Sequence, residues 1–169
     1  MTRRWQIRRA KIQRQAEGYL ELGMPEQALQ TLGRLGDPAA FDSYALYLWG
    51  EGLRTLQRYF EALLPLERAA KAAPDDIRVR IALGWCYKRT GRLDLAIDAL
   101  EQALIVEPEL ALLRYNLACY LSLAGHKRRA LRYLSQAFTL DPAYRELAEA
   151  ESDFDPLRAD PAFQALVLV

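Results

Sequence analysis

The residue types that could catalyse a reaction are few in this sequence and stand apart from one another. The single histidine, His126, follows Gly125 and has no serine, aspartate or cysteine neighbour with which to build a nucleophilic triad. Two cysteines, Cys86 and Cys119, cannot make a disulfide framework, and no second ligand pair completes a zinc site. The acids between residues 146 and 155 are better explained as a solvated surface than as a metal site. We therefore predict a non-enzymatic protein with no catalytic residue, no metal and no cofactor.

The composition is that of an ordinary globular domain, with 169 residues of which 51% are hydrophobic and 27% charged. Lys and Arg number 23 and Asp and Glu 22, so the net charge of +1 argues against a general affinity of the whole chain for nucleic acid or membranes. No apolar run approaches the length of about 20 residues that spans a bilayer, and none follows the basic N-terminus as a secretory signal would require. With free cysteines and no export signal, we expect a cytoplasmic protein.

An internal repeat of 34 residues predicts the fold, because a shift of that length aligns the chain with itself four times without a gap. In the third unit, apolar spacings predict helices over residues 80–88 and 93–106, with Gly91 as a left-handed stop between them and Pro108 closing the second helix. Two ladders of identical residues run through all four units: Ala28, Ala62, Ala96 and Ala130, and Leu32, Leu66, Leu100 and Leu134.

The signature residues of the third unit are Arg80-x2-Leu83-Gly84-x2-Tyr87, then Ala96-x3-Leu100, then Pro108. This pattern resembles the tetratricopeptide repeat family, whose motif is W-x2-L-G-x2-Y, then A-x3-F, then P. The resemblance implies an all-α fold, a right-handed superhelical α-solenoid of antiparallel helix pairs. We expect a single domain over 1–169, with repeats at about 9–42, 43–76, 77–110 and 111–144 and a capping segment at 145–169.

Some positions depart from the family motif. Arginine replaces the signature tryptophan at Arg80 and Arg114, and Gln57 stands in place of a turn glycine. Pro65 falls inside a predicted helix, so we expect irregular geometry there. In the cap, Asp155 and Asp160 each precede a proline, which predicts a short helix starting at both places. The side chains expected to fold back onto this cap are Phe163, Leu166 and Leu168.

The family resemblance also implies a function: a protein-interaction module whose concave groove, lined by the first helix of each unit, holds a peptide or a helix of a partner protein. We expect a ligand with apolar anchors and some acidic residues, because tyrosine, tryptophan and arginine dominate interaction hot spots. The tyrosines could instead pack between neighbouring helices, and the cations could form a solvated face. The candidate groove residues are Tyr44, Tyr47, Glu51, Arg54, Arg78, Trp85, Lys88, Arg89, Tyr115 and Asn116.

Three alternatives remain open from the sequence alone. A small bacterial secretion or assembly chaperone has a similar size, and it would dimerise through its N-terminal helix. The six basic residues between Arg3 and Arg14, with no acid before Glu17, could make a nucleic-acid-associated factor, although the near-neutral net charge makes this less favoured. The same basic segment could bind the acidic C-terminal segment of another copy, giving a homo-oligomer. Cys119 falls on the expected groove stripe, where it could be reactive.

Overall fold

The computed structural model describes residues 2–168, and these residues form helices and turns without a strand. The chain divides into two compact units, residues 1–90 and 91–169, and each is described by itself. The helices are α1 (Arg3–Glu21), α2 (Pro25–Gly33), α3 (Ser43–Thr55), α4 (Tyr59–Ala72), α5 (Ile77–Arg89), α6 (Leu93–Val106), α7 (Ala111–Leu123), α8 (Lys127–Leu140), α9 (Tyr144–Ala150) and α10 (Pro161–Val167), and two 3₁₀ segments span Pro38–Ala40 and Ser152–Leu157.

The repeat ladders form the core. All four alanines at the ladder position of Ala62, and all four leucines at the position of Leu66, have no solvent-exposed surface. In the unit 1–90, α1 packs on α2 and α3 packs on α4. Gly50 is the small residue of the second pair, since a β-carbon added there would lie 2.5 Å from Cγ of Leu66. Glycine at position 50 therefore lets α3 and α4 approach closely.

The turns between paired helices share one backbone conformation. Gly23, Gly91 and Gly125 have φ angles of 69°, 77° and 78°, and Gln57, at the equivalent position, has φ 59°. A left-handed residue ends a helix by satisfying its last carbonyl groups, and glycine adopts that conformation without a steric penalty. Gln57 therefore keeps the turn of the repeat while carrying the strain of a β-carbon.

The arginines that replace the signature tryptophan have a repeated structural role. Arg80 donates from Nε to the carbonyl of Pro74 at 3.4 Å, and Arg114 donates to the carbonyl of Pro108 at 2.6 Å. Each arginine thus joins the start of the first helix of one repeat to the proline that ends the preceding repeat. The indole of tryptophan has a single N–H donor, whereas the guanidinium of arginine has five.

Two helices differ from the expected pattern. α4 continues through Pro65 from Tyr59 to Ala72, so the expected irregularity does not interrupt the helix. α2 ends at Gly33 after nine residues, whereas α4, α6 and α8 each have 14. The short α2 leaves a cleft of about 550 Å³ beside α4, with Trp49, Leu64 and Pro65 among its lining residues.

In the unit 91–169, α7 packs between α6 and α8, and the C-terminal segment covers α7. Asp160 caps α10 by accepting a hydrogen bond from the amide of Ala162 at 2.7 Å, as expected. The expected helix start at Asp155 is wrong, because this residue lies inside the 3₁₀ segment that Glu151 caps. Phe163 is buried in the cap, while Leu168 is 80% exposed and does not fold back.

Among the described residues 2–168, none of the helices has both the length and the apolar character that a membrane crossing needs.

Candidate functional site

Eight of the ten candidate groove residues belong to the unit 1–90, where α3 contacts both α1 and α5. These three helices are the first helices of successive repeats. We call the surface that residues 17–21 of α1 share with the solvent-facing side chains of α3 and α5 the first-helix face. The two remaining candidates, Tyr115 and Asn116, lie on α7 in the unit 91–169.

The rings of Tyr44 and Tyr47 form an aromatic shelf on α3, and the cationic side chain of Arg78 lies against it. The rings of Tyr44 and Tyr47 stack with their centroids 6.4 Å apart. The guanidinium of Arg78, from α5, lies 5.5 Å from the Tyr44 ring and 5.1 Å from the Tyr47 ring. Asp76 holds this guanidinium with two hydrogen bonds of 3.0 and 2.7 Å. A cation–π contact and an ion pair thus hold the Arg78 side chain against the shelf.

The shelf is partly withdrawn from water, and its ionisation reflects this. Burial, followed by the charge of Glu51, raises the pKa of Tyr47 to about 12, against the lowering effect of Arg78. Burial and a hydrogen bond to Glu17 raise the pKa of Tyr44 even further. The Arg78 guanidinium lowers the pKa of the Asp76 carboxyl. At neutral pH the two phenols are therefore neutral and Asp76 is charged.

A cleft of about 280 Å³ opens beside the shelf, with walls from all three helices. Its lining combines apolar groups with carboxylates and one cation. The lining residues are Glu17, Leu20 and Glu21 of α1, Tyr47, Leu48 and Glu51 of α3, and Arg78 of α5.

Trp85 forms the second aromatic element of the first-helix face, on α5, and is 37% exposed. Arg54 lies 5.9 Å from the indole and Nζ of Lys88 lies 5.2 Å from it. Arg54 is itself oriented by Glu51, to which its Nε donates at 2.9 Å. The predicted groove residues of α3 and α5 therefore contact one another, and the indole keeps an open surface between two cations.

Arg89 ends α5 with its guanidinium 5.1 Å from the ring of Tyr59. Tyr59, the first residue of α4, is absent from the groove stripe that helical spacing predicts. Its position just after a turn, next to the end of the following first helix, is the signal that could have identified it.

Asp42 is a second residue that the stripe omits, and it fixes α1 against α3. Its carboxylate caps α3 by accepting from the amide of Ala45 at 2.9 Å and accepts from Nε2 of Gln13 at 2.7 Å. The same carboxylate pairs with Arg9 at 3.0 Å. The N-cap position, an aspartate three residues before Ala45, is readable from the sequence, but its bonds to α1 are not.

The assignment of Tyr115 to a ligand groove needs correction. This tyrosine is 6% exposed, and its ring lies 4.8 Å from Tyr144 and 5.7 Å from Phe154. The C-terminal 3₁₀ segment therefore covers the part of α7 that the repeat pattern leaves open. Cys119 is buried on the same helix, so it is not the accessible thiol that the stripe suggested. Asn116 remains half-buried.

The residues considered for chemistry lie apart from one another. His126 is exposed in the turn before α8, and Cys86 is buried, which raises the pKa of its thiol to about 12. Within residues 2–168, no three side chains of the metal-ligating types come together in a way that could hold an ion.

Part of the acidic C-terminal segment is engaged within its own unit. Asp160 pairs with Lys127, and Asp155 accepts from Nε of Arg158 at 2.7 Å. These contacts occupy carboxylates that a head-to-tail homo-oligomer would use, and such an assembly stays a prediction.

Comparison with known proteins agrees with this architecture. The tetratricopeptide repeat family matches residues 53–118. The structure of MamA AMB-1 superposes with a TM-score of 0.76 and 21% identity over 96% of this chain and 94% of that one. Residues 41 to the end of MamA from Desulfovibrio magneticus RS-1 give 0.71 and 20% over 95% and 94%. YrrB, described as a TPR protein with an unusual peptide-binding site, gives 0.71 and 23% over 80% and 70%.

No curated protein sequence matches the chain. The matched repeats and the shared fold confirm the all-α, tetratricopeptide-like architecture that the 34-residue repeat predicts. Residues 53–118 thus match the tetratricopeptide repeat family, and the chain has the fold of the tetratricopeptide repeat proteins to which it is similar.

Proposed function

We propose that this protein is a non-enzymatic adaptor whose first-helix face binds a peptide or a helix of a partner protein. The observation that carries the proposal is the aromatic shelf of Tyr44 and Tyr47, held by Arg78 beside a cleft of about 280 Å³. YrrB, which shares the fold, is described as having a peptide-binding site.

The aromatic side chains supply the binding energy in this proposal. Tyr47 and Trp85 are amphipathic, lose few rotamers on binding, and are partly exposed in the free protein. Residues of these two types are enriched among those that contribute most to protein interfaces. A ligand with apolar anchors gains contact with the shelf and the indole at a low entropic cost, because ion pairs and cation–π contacts already fix both.

The cations of the face play two roles in the proposal. Arg54 and Arg78 already pair with Glu51 and Asp76, so they position the aromatic rings and do not offer an unpaired charge. Arg89 is exposed at the end of α5 and makes no ion pair among the described residues. An acidic residue of the ligand would therefore pair with Arg89, beyond the apolar anchors.

The proposal is tested by selecting peptides from a displayed random library on the full chain. Peptides that converge on a consensus are synthesised, and their affinities are measured by calorimetry against wild type and a Tyr47→Ala/Trp85→Ala variant. Loss of two hot-spot side chains is expected to weaken binding by about 30-fold or more, equivalent to about 2 kcal/mol or more.

The matched control removes exposed apolar bulk elsewhere in the same unit. Phe60 and Leu64, on α4, are 69% and 65% exposed. A Phe60→Ala/Leu64→Ala variant should bind the selected peptide as wild type does, while circular dichroism shows that both variants are folded. Equal loss in the two variants, or a library that yields no consensus, would refute binding at the first-helix face.

A further inference from the structure

The solvent side of α1 carries a row of cations that the proposed peptide site does not use. Ile12, Gln13 and Ala16 face the core, so the opposite side of the helix faces water. That side carries five exposed basic residues that make no ion pair among the described residues. We call them the basic row: Arg3, Arg4, Arg8, Lys11 and Arg14.

The net charge of the chain hides this feature. Six of the 23 basic residues lie between Arg3 and Arg14, where there is no acid, so the rest of the chain has 17 basic and 22 acidic residues. The basic row spans about 17 Å of helix at 1.5 Å per residue. Successive cations of the row are thus about 4 Å apart on average along the helix axis, comparable with the axial spacing of about 3.4 Å between phosphates along one strand of B-DNA.

An aromatic cleft accompanies the basic row at the start of α1. Thr2, Arg4, Trp5 and Arg8 line a cleft of about 330 Å³. The guanidinium of Arg9 lies 5.0 Å from the Trp5 ring and pairs with Asp42 at 3.0 Å, so the ring is held against a fixed cation. The cleft therefore offers a half-exposed indole surrounded by cations.

We infer that the N-terminal half of α1 binds single-stranded nucleic acid, with phosphates along Arg4, Arg8 and Lys11 and a base against Trp5. A cationic track combined with an aromatic stacking platform is how proteins bind single strands without reading sequence. A membrane surface fits less well, because the apolar side of α1 is used by the core and Ile7 is the one large aliphatic side chain on its basic solvent side. This site is independent of the first-helix face.

The test measures fluorescence anisotropy of a labelled single-stranded oligonucleotide of about 20 residues with the full chain, over a range of salt concentrations. An Arg4→Gln/Arg8→Gln/Lys11→Gln variant should bind at least tenfold more weakly. Its plot of log affinity against log salt should be shallower by about 2, since each phosphate contact on a single strand contributes about 0.7. Trp5→Leu should weaken binding by about tenfold through lost stacking.

The control variant removes the same charge at exposed cations outside the basic row. Lys71, Arg92 and Arg128 are exposed and make no ion pair among the described residues, so their triple substitution by Gln should leave binding unchanged. Both triple variants are checked by circular dichroism, and because their sites lie on the surface we expect them to fold.

Several results would overturn the inference. One is the absence of oligonucleotide binding by wild type at low salt, and another is a control triple that loses as much affinity as the basic-row triple. Equal affinity for a poly-glutamate peptide of the same charge, with no effect of Trp5→Leu, would instead identify the basic row as a site for acidic proteins. Capture by anionic phospholipid vesicles without oligonucleotide binding would identify a membrane contact.

Discussion

Gly50 shows how a single residue sets the distance between α3 and α4. An alanine β-carbon there would lie 2.5 Å from Cγ of Leu66, which is fully buried. We predict that Gly50→Ala lowers the free energy of unfolding by about 1–3 kcal/mol through overpacking. Urea unfolding measures the change. Gly18→Ala is the control, because nothing lies within 4 Å of a β-carbon there, and it should stabilise α1 by about 0.5–1 kcal/mol. Equal effects of the two substitutions would contradict the packing assignment.

The raised pKa of Tyr47 should make the free energy of unfolding depend on pH in the alkaline range. An unfolded tyrosine loses its proton near the ordinary phenol pKa of 10.0, whereas burial raises the pKa of folded Tyr47 to about 12. Between these values only the unfolded chain releases the proton, so the free energy of unfolding falls as pH rises from 10 to 12. Urea unfolding at several pH values should show a shallower fall for Tyr47→Phe than for wild type. Identical pH profiles would show that folding does not raise the pKa of Tyr47.

The turn between α3 and α4 carries strain that the other turns avoid. Gln57 has φ 59° where three equivalent positions hold glycine. We predict that Gln57→Gly raises the free energy of unfolding by about 1 kcal/mol, because glycine has no β-carbon to clash in the left-handed region. The reciprocal change, Gly125→Ala, should cost a similar amount, and thermal denaturation compares the two. A destabilising Gln57→Gly would mean that the glutamine side chain makes a stabilising contact.

Asp42 joins α1 to α3, so its loss should affect two helices together. Asp42→Ala removes the cap of α3 and leaves the buried amide of Gln13 without its acceptor. We predict a cost of about 2 kcal/mol or more in urea unfolding. Asp37→Ala, which removes the cap of a 3₁₀ segment of three residues, should cost less. Asp42→Asn restores a cap and should recover most of the stability; failure to do so would show that the ion pair with Arg9 dominates.

The positions of the helices were predictable because the same apolar pattern recurs in all four repeats. The expected helix over residues 93–106 matches α6, and the one over residues 80–88 lies within α5. Features that do not repeat were less predictable. The C-terminal segment that buries Tyr115 occurs once, so no ladder indicated it. Similarly, the rule that proline disfavours helix interiors did not predict that α4 continues through Pro65.

For the molecule as a whole, the average composition does not reveal the candidate surfaces, because each depends on a few residues in one place. The near-zero net charge divides into a basic segment in α1 and an acidic remainder. The sequence predicted which side chains of α3 and α5 share a face, since helical spacing fixes that. It did not predict that Asp76 and Glu51 engage Arg78 and Arg54, because such pairs depend on side-chain geometry.

The three tryptophans offer one direct measurement of where a peptide binds, because each lies at a different cleft or face. Trp85 lies on the first-helix face, Trp49 lines the cleft beside α4, and Trp5 lines the cleft at the start of α1. The indole N–H signals of ¹⁵N-labelled full chain would be followed by NMR while a library-selected peptide is added. We predict that the Trp85 signal shifts in proportion to peptide occupancy while the signals of Trp49 and Trp5 stay in place. A shift of Trp49 or Trp5 with Trp85 unmoved would contradict binding at the first-helix face.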